Sequence, residues 1–194
     1  MATSAFGGSE KKFPTIVQVY IYSFVISSIK LITMKKSIYP LETIFNLNQR
    51  LFTNTLAGIT EEQAKERISD HNNPMNWLAA HTVWSRYLML MFLGKPVTNP
   101  YTKLFENFKS YDASLNYPPL EEAKREWQKA SGLLKEAIES VSEEHLSSDA
   151  PVPNPTGDLS NGGTVAFLAQ HESYTIGQMS LLKKYLTKEA MSYN

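Results

Sequence analysis

No cysteine occurs anywhere in the 194 residues. That removes disulfides, thiolate metal ligands and a protein-borne thiol nucleophile, so any thiol chemistry needs a thiol brought in by a co-substrate. Net charge is also missing. The 19 basic and 19 acidic residues cancel and are scattered, so the basic footprint of a nucleic-acid binder is absent and no nucleic-acid partner is expected. There is no Gly-rich phosphate loop, no G-x-S-x-G elbow and no H-E-x-x-H signature, and no serine or threonine has a recognisable nucleophile context. Internal repeats and low-complexity tracts are lacking too. Long apolar runs are scarce. The main one, 13–29 (FPTIVQVYIYSFVISSI), is at the lower limit of a membrane span. It follows Lys11 and Lys12 as a signal peptide's apolar region would, but no small-x-small cleavage pattern comes after it. Met34-Lys35-Lys36 reads as a natural protein start. Residues 1–33 are therefore expected to be an upstream extension or apolar leader outside the core fold, with a membrane or export segment at 13–29 as the alternative. Residues 34–194 are expected to form one cytoplasmic domain.

From Pro40 onward the apolar residues take helical spacing. Leu41, Ile44, Phe45, Leu51, Phe52 and Leu56 recur at intervals of three, four or seven, and Gly58 supplies a stop. Thr60 to Gln63 fits a capping box, with a short helical turn expected after it. Asp70 to Pro74 is a run of turn and cap residues ahead of a second helix that opens at Pro74 or Met75 and closes at Gly94. That helix is apolar around most of its circumference and should be the most buried. Residues 95–118 form a long connection rich in aromatics, long enough for a crossover. A third helix starts at Pro119, with acids in its first turn and Leu120, Ala123, Trp127, Leu134 and Ile138 on one stripe. After a Pro/Gly/Asn/Ser-rich loop, a fourth begins near Thr164, and Lys183 and Lys184 suit its C-terminal dipole. The fold class is all-α: a four-helix bundle with a long crossover between helices two and three.

Two of the four histidines lie within periodic helices. His81 shares a face with Trp77, Trp84, Ser85 and Leu88, which should point inward. His171 lies in line with Phe167, Tyr174, Thr175, Gln178 and Leu182, a face polar in its middle. Buried imidazole, hydroxyl and amide groups cost roughly 1–3 kcal/mol each when unpartnered. They should therefore either share a metal or form a hydrogen-bonded network. Spacing alone leaves both open. Trp77 and Trp84 suit a helix core as well as a pocket wall. His71 and His145, in loop or helix-start contexts, read as surface residues.

Asn73-Pro74-Met75-Asn76-Trp77-Leu78-Ala79-Ala80-His81, followed on the fourth helix by His171-Glu172-Ser173-Tyr174-Thr175-Ile176-Gly177-Gln178, resembles the DinB-like (DinB/YfiT) superfamily. The resemblance extends over roughly residues 36–188. It implies a four-helix bundle and a divalent metal, Zn²⁺ or Ni²⁺, held by three histidines. It also implies kinship with transferases and isomerases that use small bacterial thiols. Carried over, His81 matches the helix-two ligand and His171 the first member of an H-x-x-x-H pair. Thr175 occupies the third position, and a neutral hydroxyl is a poor ligand beside imidazole. Gln178, Glu172 or water would then complete a weaker site, or a ligand would supply the third donor, or the metal is lost and a pocket remains, edged by Trp77, Trp84, Tyr174 and Gln178. The expected partner is a small-molecule ligand or thiol co-substrate. A homodimer is the structural alternative.

Overall fold

Proline is tolerated in the first turn of a helix, where its missing N–H has no partner to lose. Pro40 sits there in α1, Tyr39–Leu56. In this computed structural model the described residues are 37–194, so the expectations for 1–33, including the apolar 13–29 run, lie outside them. Helix α1 buries Phe45, Asn48, Phe52 and Thr55, whereas Ile44, expected on the inner stripe, is exposed. The helix stops where Ala57 turns extended and Gly58 takes φ +75°, a conformation that carries no penalty without a Cβ. The capping box forms in both directions: the Gln63 N–H donates to Thr60 Oγ1 at 3.2 Å, and the Thr60 N–H to Gln63 Oε1 at 3.0 Å. It opens a single 3₁₀ turn, Gln63–Lys65.

Helix α2, Met75–Phe92, is buried along most of its length, as its all-round apolarity requires. The connection that follows is structured. It contains α3, Thr102–Phe105, and a 3₁₀ turn, Glu106–Phe108, in which Asn107 and Phe108 both have positive φ, 57° and 55°. Helix α4, Leu120–Ser140, carries Glu121 and Glu122 in its first turn. The Leu120 N–H donates to the Glu61 carboxylate at 2.9 Å, so an acid from the α1–α2 connection also serves the positive end of α4. A short helix α5, Glu143–Ser147, was not legible as a helix, and its His145 is not a free surface residue. The imidazole Nε2 lies 3.0 Å from the Phe92 carbonyl at the end of α2 and packs beside Gly94.

Helix α6, Asn161–Thr187, begins three residues before Thr164, capped by Ser160 Oγ, which accepts from the Gly163 N–H at 3.0 Å. Gly162 and Gly163 look like loop residues because they are glycines. They are glycines because a Cβ at Gly163 would lie 2.5 Å from Asp158 Cγ, and one at Gly162 3.1 Å from the Leu146 carbonyl. Lys183 differs from expectation as well: it is buried, and its Nζ donates to the Ala57 carbonyl. It serves the end of α1, not of its own helix.

The extensive pairings are α2 with α4 and α6, and α1 with α6 and, less fully, α4. The four long helices thus make an all-α bundle with α1 and α2 on one diagonal and α4 and α6 on the other. Phe52 stacks on Trp127 at 4.2 Å in its core. The centre is nevertheless polar. Arg86 of α2 (1% exposed) and Glu172 of α6 (0%) form a two-pronged ion pair, Nε–Oε2 2.9 Å and Nη2–Oε1 2.6 Å. Arg86 also donates to Ser131 Oγ of α4 at 2.5 Å, and its guanidinium lies 3.4 Å from the centre of the Trp127 ring. Asn48 of α1 donates to Glu172 Oε1 at 3.0 Å and to Ser173 Oγ at 2.9 Å. One network therefore touches all four long helices, and its members satisfy one another, as a buried charge pair requires.

Candidate ligand-binding site

Residues four apart in a helix share a face, and Trp77, His81 and Ser85 make such a row on α2, with Trp84 beside them. Trp77, His81 and Trp84 lie where the 93–119 connection covers them, against Phe105; Ser85, one turn on, is buried but does not line the cavity these residues form. The His81 ring stacks on Trp77 (4.7 Å, 8° between planes), tilts against Trp84 (5.5 Å) and meets the edge of Phe105 from α3 (5.3 Å). "Inward" thus means toward this connection; the bundle centre belongs to Arg86 and its neighbours. Trp77, His81, Trp84, Phe105, Phe108 and Tyr111, with Asn73, Lys109 and Ser110 around the mouth, enclose a cavity of about 210 Å³.

Three buried polar atoms on this row lack a hydrogen bond: Trp77 Nε1, His81 Nδ1 and Ser85 Oγ. Buried polar groups are nearly always paired, so the two on cavity-lining residues, Trp77 and His81, mark a place suited to something polar. A helical serine commonly bonds the carbonyl four residues back; Ser85 does not. Burial raises the Tyr117 pKa; the Trp77 N–H, which faces the phenol, opposes this as a hydrogen-bond donor does, though the pair falls outside strict hydrogen-bond geometry. Burial, and secondarily the nearby His171, lower the His81 pKa from 6.5 to about 4. At neutral pH it is an uncharged imidazole, one nitrogen donating and the other accepting.

On α6, the buried direction centres on Glu172, Thr175, Ile176 and Met179. His171, about 100° round the helix from Glu172, sits half-buried at the margin of that face, and burial lowers its pKa. Tyr174, on the far side of His171 from the seam, is 61% exposed. Gln178 is half-buried, and neither it nor Tyr174 lines the cavity. Thr175 is 2% exposed, and its hydroxyl donates to the His171 carbonyl at 3.0 Å.

The His81 and His171 ring centroids are 5.2 Å apart. Two imidazoles each about 2.1 Å from one tetrahedral ion would place their centroids about 5 Å apart, so the pair has the right spacing. The third donor is what fails. Glu172 is held by Arg86 and Asn48, and Thr175 is turned onto its own backbone. Among the described residues no three His, Cys, Asp or Glu side chains group closely enough to hold a metal ion. The residues present do not fit a three-histidine centre.

Around the mouth the charges are basic or already paired. Lys109 Nζ lies 3.0 Å from Glu106 Oε1, both partly exposed, and the Arg67 guanidinium sits 5.2 Å from the centre of the Tyr111 ring. A more open depression of about 300 Å³ beside Gln49, Arg50 and Trp127 has no comparable convergence of unpartnered polar atoms.

The sequence reading missed Arg86 and Glu172 as a pair. A signal existed: each is the one ion of its sign in its helix, Arg86 within the apolar α2 and Glu172 the sole acid of α6.

An all-α bundle with an aromatic, histidine-bearing cavity beside its second long helix is the class of protein defined here. The DinB superfamily model matches residues 44–179, well over half of the chain, and the chain belongs to that superfamily. A crystal structure of a conserved protein from Enterococcus faecalis has the same fold: 16% identity, TM-score 0.60, covering 78% of this chain and 98% of that one. No curated protein matches. Among the described residues no helix is long and apolar enough to cross a membrane.

Proposed function

We propose that this chain is a small-ligand-binding DinB-superfamily protein whose cavity works through hydrogen bonding and ring contact, without a three-histidine metal. One observation carries the reading: the unpartnered Trp77 Nε1 and His81 Nδ1 belong to two residues that line a cavity of about 210 Å³. Such groups bind by replacing lost water contacts with ligand contacts, and their unmet demand discriminates strongly between ligands that satisfy them and ligands that do not. Activity stays unassigned. The second reading is a thiol-dependent enzyme in which a co-substrate completes a two-histidine site, and the 5.2 Å spacing of the His81 and His171 rings favours it.

Equilibrium dialysis of the full chain against Zn²⁺ and Ni²⁺ separates the two. The expected result is no stoichiometric uptake by the wild type and a new, tight site in Thr175→His. Stoichiometric metal in the wild type, lost in His81→Ala, would overturn the first reading. On the ligand side, fragments detected by NMR should compete with one another and lose affinity in His81→Leu.

A further inference from the structure

The walls of the cavity say more about its ligand than that it is small. The Trp77 and His81 rings stack on each other with their planes within 8° of parallel, and Trp84, Phe105 and Tyr111 add further ring surface to the lining. Flat π surfaces reward a flat partner by stacked and edge contacts. A dry apolar cavity of about 150 Å³ accommodates benzene. One of about 210 Å³ therefore admits a substituted single ring or a small fused bicycle.

Charge narrows the class. Aromatic boxes often take quaternary ammonium groups, but no carboxylate lines this cavity and Lys109 stands at its mouth. Arg67 already occupies the vicinity of the Tyr111 ring. With no carboxylate in the lining, a cation would give up its water without an opposite charge to replace it, whereas Lys109, held to Glu106 only by an exposed pair, is free to turn to an anion.

Phe108 adds a further element. It lines the cavity, is 87% exposed, and stands edge-on to Trp84 at 6.4 Å. It is held there by two successive non-glycine residues in the left-handed region, Asn107 and Phe108, a backbone state that bulky side chains rarely adopt and that clusters at ligand clamps.

We infer that the cavity binds a planar one- or two-ring aromatic molecule, neutral or anionic, with a polar edge toward His81 and with Phe108 covering its outer face. This rests on the binding reading above and goes beyond it by naming a ligand class.

Benzoate, benzamide, phenyltrimethylammonium and cyclohexanecarboxamide, titrated into the full chain by calorimetry and by tryptophan fluorescence, test it. Benzamide and benzoate should bind saturably, with the cation and the non-planar amide at least about tenfold weaker. Phe108→Ala removes an exposed side chain, so its melting temperature should stay unchanged while benzamide affinity falls about tenfold. Lys109→Glu should shift preference from benzoate toward the cation. Tightest binding of the cation, equal binding of the two amides, or no effect of Phe108→Ala overturns the inference. If fragments of another class compete for the cavity, the ligand class fails and the binding reading stands. If nothing binds, both fall.

Discussion

Removing the Arg86 side chain leaves Glu172 charged, fully buried and held only by Asn48. Arg86→Met should therefore cost about 3–5 kcal/mol in urea unfolding, whereas Arg86→Met combined with Glu172→Leu should recover most of that loss, because an uncompensated buried charge costs more than the pair contributes. His81 makes a prediction of a different kind. Its folded pKa of about 4 lies below the ordinary 6.5, so between those values the unfolded chain binds the proton and the native one does not. Stability is therefore fully present above pH 6.5, falls as pH drops toward 4, and loses up to about 3 kcal/mol from this residue. His171, also lowered by burial, acts in the same direction. Chemical denaturation at pH 7 and pH 5 should show a smaller difference in His81→Leu than in the wild type; an unchanged difference would place the proton uptake elsewhere.

Among the elements, two of the three glycines of α6 have opposite roles. Gly163→Ala forces a Cβ to within 2.5 Å of Asp158 and should destabilise by about 1–3 kcal/mol as the 148–160 loop is pushed away. Gly177 lies mid-helix and exposed, with nothing within 4 Å of an added Cβ, so Gly177→Ala should stabilise by about 0.5–1 kcal/mol. Thermal melts of the two variants should move in opposite directions. The same contrast explains what the sequence made legible. Helices α1, α2 and α4 were readable because Gly58, Gly94 and Pro119 punctuate a clear apolar period. The start of α6 was not, because Gly162 and Gly163 answer to Asp158 and Leu146, contacts that exist only after folding. At the site, His81 and Trp84 were visible from spacing. Phe105, Phe108 and Tyr111 were not, since a long connection carries no period from which its inward residues can be read. Tyr174 was misplaced by one step of helical rotation: i+3 from His171 faces solvent, while i+4, Thr175, faces the seam.

Across the molecule, helix ends are closed by distant residues: Lys183 on Ala57, Glu61 on Leu120, His145 on Phe92. Lys183→Met should accordingly fray the last turn of α1, seen as faster amide exchange around Thr55–Ala57 with α4 unaffected. The diagonal placement of α1 and α2 has a consequence for synthesis. On the ribosome, α2 meets α4, one of its two main partners, as soon as residue 140 has emerged. Helix α1 has its principal partner in α6, which ends at Thr187. Phe52 gains Trp127 once α4 is out, but the side of α1 that packs on α6 stays uncovered, and the interval before α6 leaves the exit tunnel is when the nascent protein most needs a chaperone.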